Sequence, residues 1–218
     1  MTLSILTYDQ ETNVFAAAAA TGSFCVGGWV LRGEIESGLV ASQGTAPSTF
    51  WRDGVLRRMH EGENAEQAVR AEVEPDSGRD HRQLIALDRT GNSFGFTGAA
   101  SVSFASHYTS RNIAVAGNML SGPEVLGAMR LAVEEPYDTP ADRMLAVLDA
   151  AAKAGGDARG LQSAALLILS PDRPPLDLRI DCHDAPLVAL RDLCTRVHQP
   201  PYRDWLIEVP VLNDKNRA

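Results

Sequence analysis

Two apolar segments near the N-terminus constrain the fold more than any other feature of this sequence. In the first, LSILTY, Leu3 and Ile5 lie on one face of a strand and Leu6 lies on the other, so both faces would be buried. In the second, VFAAAAAT, five alanines at positions 16–20 follow two strand-forming residues and form too short a run for a stable helix. The turn residues DQETN between the segments predict a hairpin. A hairpin buried on both faces is expected at the centre of a layered structure.

The rest of the chain alternates strands with helices in an order typical of an α+β fold. After the hairpin come the strand GLVASQG, two helices, a strand pair, the strand NIAVAGNML, two more helices, a strand pair and a last helix. Consecutive strands are mostly joined by short turns, so we expect largely antiparallel sheets with the helices outside them. The helices are predicted over residues 49–61, after Asn64, from Pro123, from Thr139, and from Asp184 to residue 197.

The length of 218 residues fits one domain, which we predict over residues 1–197. The proline-broken segment that follows predicts a C-terminal extended arm over residues 198–218. Trp205, Leu206 and Ile207 make part of this arm apolar. We therefore expect the arm to pack on its own domain or on a second subunit, which makes a homodimer the expected assembly.

Charge and cysteine content argue against several classes of function. The net charge is −8 at pH 7 without a Lys- or Arg-rich stripe, so a nucleic-acid partner is not expected. No apolar run reaches the roughly 18 residues of a membrane span, and Asp9 and Glu11 would interrupt an export signal. The three cysteines have no CxxC spacing and cannot all pair within one chain. These features predict a cytoplasmic protein that does not contact a membrane.

Motifs for metals and cofactors are missing from the sequence. The five histidines are scattered without an HExxH pattern, and the glycine-rich GGDARG does not link a strand to a helix as a nucleotide-binding turn would. We expect neither a metal nor a cofactor. Cys25, in the loop GSFCVGG, is either a small packed cysteine or an alternative thiolate nucleophile.

Thr2 is a different candidate for chemistry. Removal of Met1 would leave a threonine with a free α-amine. The pKa of an α-amine is about 7.7–8.0, so much of it is neutral at working pH and can accept the proton of the threonine hydroxyl. One residue would then supply both nucleophile and base.

Separated motifs follow one another along the chain: MTLSILTYD, GLVASQG, HRQLIALD, FTGAA, AGNMLSGPEV, GGDARGLQSAALLIL and DLRID. In these motifs the sequence resembles the bacterial DUF1028 family, of unassigned function, over about its first 195 residues. The resemblance implies an N-terminal nucleophile (Ntn) hydrolase-like fold. That fold is a four-layer αββα sandwich of two largely antiparallel sheets, and its members hydrolyse amide bonds.

The opening of the chain is more remotely similar to proteasome β-subunits. Both have a threonine, an apolar strand, a turn, a second strand ending in Ala-Thr, a basic residue, a glycine turn and two helices. By this resemblance Thr2 is the nucleophile and Arg32 is the basic residue that lowers the pKa of its amine and hydroxyl. Gln43 and Gly44 fall at the turn whose backbone N–H forms the oxyanion hole. Asn118 falls near a polar residue that supports the N-terminus.

The resemblance implies an amidohydrolase that cleaves a small peptide-like or carbamoyl metabolite. Ser42, Thr97 and Cys25 are expected to line its substrate pocket. The chain departs from the proteasome pattern in its second strand, which has alanines at positions 16–20 where those enzymes carry an aspartate. A non-catalytic module that binds a small ligand or a protein partner on the same scaffold is therefore the alternative.

Overall fold

The structure is a computed structural model that describes residues 2–155 and 160–217. Met1 and residues 156–159 of the GGDARG motif lie outside the described residues. The strands are β1 Thr2–Asp9, β2 Val14–Thr21, β3 Leu31–Glu34, β4 Gly38–Gly44, β5 Arg82–Asp88, β6 Ser93–Thr97, β7 Phe104–Ser110, β8 Ile113–Leu120, β9 Ser163–Ser170 and β10 Arg173–Ile180. The helices are α1 Val26–Trp29, α2 Thr49–His60, α3 Ala65–Val73, α4 Glu124–Glu134, α5 Pro140–Lys153, α6 Pro186–Val197 and α7 Tyr202–Leu206.

The strands form two antiparallel sheets. The six-stranded sheet has the order β10-β9-β2-β1-β8-β7, and the four-stranded sheet has the order β3-β4-β5-β6. The N-terminal hairpin pairs β1 with β2 from Thr2 opposite Thr21 to Asp9 opposite Val14. The prediction that this hairpin lies at the centre of a sheet is confirmed, because β9 flanks β2 and β8 flanks β1.

Three apolar clusters separate four layers. One cluster lies between the six-stranded sheet and the helices α4, α5 and α6. A second fills the space between the two sheets and contains Leu6 and Phe15. A third lies between the four-stranded sheet and the helices α2 and α3. The predicted α+β fold, a four-layer αββα sandwich of two antiparallel sheets, is confirmed.

Local signals place most helix ends where the sequence predicts them. Ser48 accepts a hydrogen bond from Trp51 N at the start of α2, and Asn64 and Gln67 form a reciprocal capping box at the start of α3. Two starts differ by one residue. Pro123 precedes α4 as its N-cap, and α6 is preceded by Ala185 without a side-chain cap from Asp184.

Two strands and the shape of the C-terminal segment were not predicted. The strand β3 has only four residues, and β7 is largely polar, so neither carries a clear apolar alternation. The segment after His198 is not extended throughout, because it contains the helix α7 and then returns to the sandwich, where Asn213 N donates to Pro171 O. None of the described helices is long and apolar enough to cross a bilayer.

Candidate functional site

Thr2 begins the strand β1 at the centre of the six-stranded sheet. It lies opposite Thr21 of β2 on one side and Asn118 of β8 on the other. Alternate residues of a strand share a face, and Leu6 of this strand belongs to the cluster between the sheets. The side chain of Thr2 therefore faces the space between the two sheets, where its Oγ1 is 3.2 Å from the Oγ1 of Thr21. Thr2 is half-buried, at one end of that space.

Gln43 connects Thr2 to the opposite sheet. This residue is next to last in β4 and is 2% exposed. Its Nε2 donates to the main-chain oxygen of Thr2 at 3.3 Å and to Oε1 of Gln83 at 2.7 Å. The Nδ2 of Asn118 donates to the same Oε1 at 3.2 Å. Side chains from both sheets thus meet in the space between the sheets next to Thr2.

Gln83 is the centre of this polar network. Its Nε2 lies 3.0 Å from the main-chain oxygens of Ser106 and Gly117 and 2.8 Å from Oγ1 of Thr97. Gln83 is not among the site residues predicted from the sequence, although its position carries a signal. Ile85 and Leu87 on the same face of β5 are fully buried, so an amide at position 83 is a polar group on a core face.

The network continues from Thr97 to a histidine. The Oγ1 of Thr97 is 2.8 Å from Nδ1 of His107. Because Thr97 accepts from Gln83, its own hydroxyl proton is available to Nδ1, which then acts as the acceptor. Burial lowers the pKa of His107, which favours the neutral imidazole.

A second group of small polar residues holds the loop that follows Thr21. Ser163 of β9 is fully buried and lies opposite Thr21. Its hydroxyl donates to Ser23 O at 2.8 Å and accepts from Val26 N at 3.1 Å. Thr21 and Ser163 are not among the site residues predicted from the sequence. They extend the polar end of the space between the sheets beyond Thr2.

Gly44 ends β4 directly after Gln43. Its φ of 130° is strained for any residue with a side chain, and an added Cβ would lie 2.7 Å from His81 O. This residue is therefore confined to glycine by its backbone. It lies at the same end of the four-stranded sheet as Gln43.

Arg32 is directed away from Thr2. It pairs with Val40, whose side chain belongs to the cluster beneath α2 and α3, and it is exposed. Its neighbour Leu31 faces the space between the sheets instead. The structure therefore does not bring the guanidinium of Arg32 to Thr2 as the resemblance implied.

Ser42 and Cys25 also differ from the predicted pocket lining. Ser42 lies on the helix side of β4 and donates to Ser48 O at 2.9 Å, so it holds the loop before α2. Cys25 is half-buried, precedes α1 with a φ of 60°, and its N donates to Asp181 O. Of the three predicted pocket residues, Thr97 belongs to the network, whereas Ser42 bonds to the loop before α2 and Cys25 bonds to Asp181, just after the end of β10.

Metal ligands do not cluster in the part of the chain that the structure describes. Two clefts of about 390 and 400 Å³ lie on other faces of the molecule. One is lined by α3 and β6 residues such as Phe94, and the other by turn residues such as Asn92. The threonine site is thus a polar end of the space between the sheets and does not coincide with either cleft.

Comparisons with known proteins agree with the resemblance seen in the sequence. Residues 2–190 match a family model described as a family of unknown function, DUF1028. The crystal structure of protein SPO2555 from Silicibacter pomeroyi, described as DUF1028, is similar to this chain with 48% identity and a TM-score of 0.94. The similarity covers 99% of this chain and 98% of that one. A search of curated proteins finds no significant match.

Proposed function

Because this chain belongs to the DUF1028 family, whose function is unknown, we propose a function from its own site. The protein is an Ntn-type amidohydrolase that cleaves an amide bond in a small peptide-like or carbamoyl compound, with Thr2 as the nucleophile. The observation that carries the proposal is the position of Thr2. It starts a central strand, its hydroxyl faces the space between the sheets, and the Gln43 side chain bonds to its carbonyl oxygen.

The α-amine of Thr2 is the base in this mechanism. Removal of Met1 uncovers this amine. Because the ordinary pKa of an α-amine is about 7.7–8.0, a large fraction of it is neutral near that pH range. The hydroxyl oxygen attacks the substrate carbonyl while the amine takes the hydroxyl proton, which it then gives to the leaving nitrogen. An ester on Thr2 remains. Water hydrolyses this ester, the amine again carrying the proton, and the free hydroxyl is restored.

Amide groups near Thr2 supply donors for the negative charge that develops on the substrate oxygen. Asn118 pairs directly with Thr2 across the sheet, and Gln43 and Gly44 end the facing strand. Fixed donors of this kind matter because the loss of one typically lowers a rate by about two to three powers of ten. The donor to the substrate oxygen is the side-chain amide of Asn118 or a backbone N–H of Gln43 or Gly44, because the side-chain Nε2 of Gln43 already donates to Thr2 O and to Gln83 Oε1.

The base acts without help from a cationic side chain at the position that the proteasome resemblance assigned. Arg32 faces the helix layer, and β2 places alanines rather than an acid beside β1. A cation close to the amine would lower its pKa. Without one, the pKa of the amine is not lowered, and we expect the rate of acylation of Thr2 to rise with pH through or above the ordinary range of an α-amine, about 7.7–8.0.

The proposal is tested on native protein whose N-terminal mass has been measured. An activity screen over amides, carbamoyl compounds and short peptides is run with wild type and Thr2→Ala. We expect turnover by protein that lacks Met1 and no turnover by Thr2→Ala, with unchanged folding by circular dichroism. Turnover that persists in Thr2→Ala but is lost in Cys25→Ser would move the nucleophile to Cys25 and refute the proposal.

A non-catalytic binding module is the second candidate, and the orientation of Arg32 favours it. Arg32 lies on the opposite face of β3 from the threonine, so its guanidinium does not activate Thr2. In this case the polar end of the space between the sheets recognises a small polar ligand. Complete retention of Met1 in protein isolated from its natural source would support the module, since the α-amine would stay in a peptide bond.

A further inference from the structure

We propose that Gln83 is a positioning residue for the Thr2 site, an inference that rests on the proposed function. Gln83 does not contact Thr2 in its described hydrogen bonds. It acts through Gln43, whose amide it holds in one orientation next to the residue that would carry the nucleophile and the base. The role is therefore to set the direction of a neighbouring amide.

The oxygen of the Gln83 side chain joins the two sheets. Gln83 belongs to the four-stranded sheet and is fully buried. Its Oε1 accepts from Gln43 of its own sheet at 2.7 Å and from Asn118 of the six-stranded sheet at 3.2 Å. One oxygen thus sets the direction of the Gln43 amide and of the Asn118 amide, which belongs to the strand partner of Thr2.

The nitrogen of the same side chain fixes which way the amide points. Nε2 lies 3.0 Å from two main-chain oxygens, those of Ser106 and Gly117. An amide turned by 180° would place its oxygen against these acceptors and lose both bonds. The surroundings of Gln83 therefore allow one orientation, and the Oε1 atom stays directed at Gln43 and Asn118.

In this orientation the side-chain oxygen of Gln43 is a hydrogen-bond acceptor that is still unused. Its Nε2 serves Gln83 and the carbonyl oxygen of Thr2, while its Oε1 is buried and has no hydrogen-bond partner in the described structure. A buried polar atom without a partner is costly. This acceptor belongs to a side chain already bonded to Thr2, so it is suited to receive an N–H of the α-amine once Met1 is removed. Gln83 keeps it in that position.

The test measures how fast Thr2 is acylated by a β-lactone, whose ring opens on the threonine hydroxyl and adds the full mass of the reagent as an ester. Wild type, Gln83→Met, Gln43→Leu and the double variant are compared by intact mass spectrometry across a pH series. We expect Gln83→Met to lower the plateau rate by about 10- to 100-fold. Its pH midpoint should move down, because an acceptor that stabilises the ammonium form is misdirected.

The double variant separates positioning from a general loss of structure. If Gln83 acts through Gln43, then Gln83→Met slows acylation less in the Gln43→Leu background than in wild type, and the part that remains passes through Asn118. Asp88→Asn is the matched control. Asp88 lies at the other end of the same strand, is also buried, and accepts bonds from Ala65 N and Thr90 N. We expect this variant to be acylated at the wild-type rate.

The outcomes distinguish the two proposals. Wild type that lacks Met1 but is not acylated refutes Thr2 as the nucleophile, and the inference fails with it. Acylation of wild type and Gln83→Met at equal rates, or equal slowing in Asp88→Asn, refutes the positioning role alone. If Gln83→Met does not fold, Gln83→Asn replaces it. That variant keeps an amide but withdraws it by one carbon, and the same decrease and pH shift are expected.

Discussion

His107 lies at the end of the polar network, and its lowered pKa predicts how the stability of the protein depends on pH. Burial lowers the pKa of this histidine, whereas its pKa in the unfolded chain is about 6.5. The folded protein therefore binds the proton more weakly than the unfolded chain does. The stability is complete above about pH 6.5 and is lost as the pH falls from there toward the lower folded pKa. We expect chemical denaturation to show a decrease in the free energy of unfolding over this window.

The histidine variants identify the source of that decrease. His107→Gln keeps a polar side chain beside Thr97 but cannot titrate, so the slope below about pH 6.5 should become smaller. His81→Gln serves as the control because His81 is exposed. An unchanged slope in His107→Gln would assign the pH dependence to other groups.

Part of the candidate site could be predicted residue by residue. Thr2, Gln43 and Asn118 do lie in one network, and their positions follow from the order of motifs along the chain. Their catalytic roles remain a prediction. Arg32 could not be oriented, because the strand β3 was not recognised and a shift of one residue turns a side chain to the opposite face. The role of Gln83 could not be predicted, because it depends on hydrogen bonds to residues of both sheets.

Among the elements, the alanine strand β2 has a testable packing role. Ala18 is fully buried in the cluster beneath α4, α5 and α6, and β2 contacts α5. A larger side chain has to displace the helix or adopt a strained rotamer. We expect Ala18→Leu to lower the free energy of unfolding by about 1–3 kcal/mol, measured by denaturant titration. Unchanged stability would mean that the helix layer has room for a larger residue there.

The elements that could be predicted share a strong local signal. The hairpin of β1 and β2, the capping box at Asn64 and the turn at Gly91, which has a φ of 85°, each depend on a few neighbouring residues. The strand β7 has no such signal. Its residues are half-buried or exposed, since it is an edge strand, and its place is set by pairing with β8. Such pairing is a non-local property that alternation alone does not encode.

At the scale of the whole molecule, the four layers were predictable as a class from strand order and short connections. The sequence does not predict which face of each strand meets the second sheet, because β1 and β2 are apolar on both faces. The structure resolves this by placing Ala18 beneath the helices and Ala17 between the sheets. The polar residues at positions 2, 43 and 83 share the second environment, which explains why they meet at one end of the sandwich.

The C-terminal segment is the basis for a prediction about assembly. Tyr202 is 45%, Trp205 53% and Ile207 63% exposed in and just after α7. Apolar side chains grouped in this way favour association. We expect wild type to be a homodimer by light scattering and the Trp205→Ser, Ile207→Ser double variant to be a monomer. Leu131→Ser, which alters an exposed residue of α4, should leave the dimer intact, and a wild-type monomer would contradict the prediction.

The central position of β1 has a practical consequence for anyone who produces this protein. Its first residue lies between the ends of β2 and β8, opposite Thr21 and Asn118. A purification tag fused upstream would keep the α-amine of Thr2 in a peptide bond. Negative results from protein tagged in this way would therefore carry no information about the reaction. The affinity tag belongs at the other terminus.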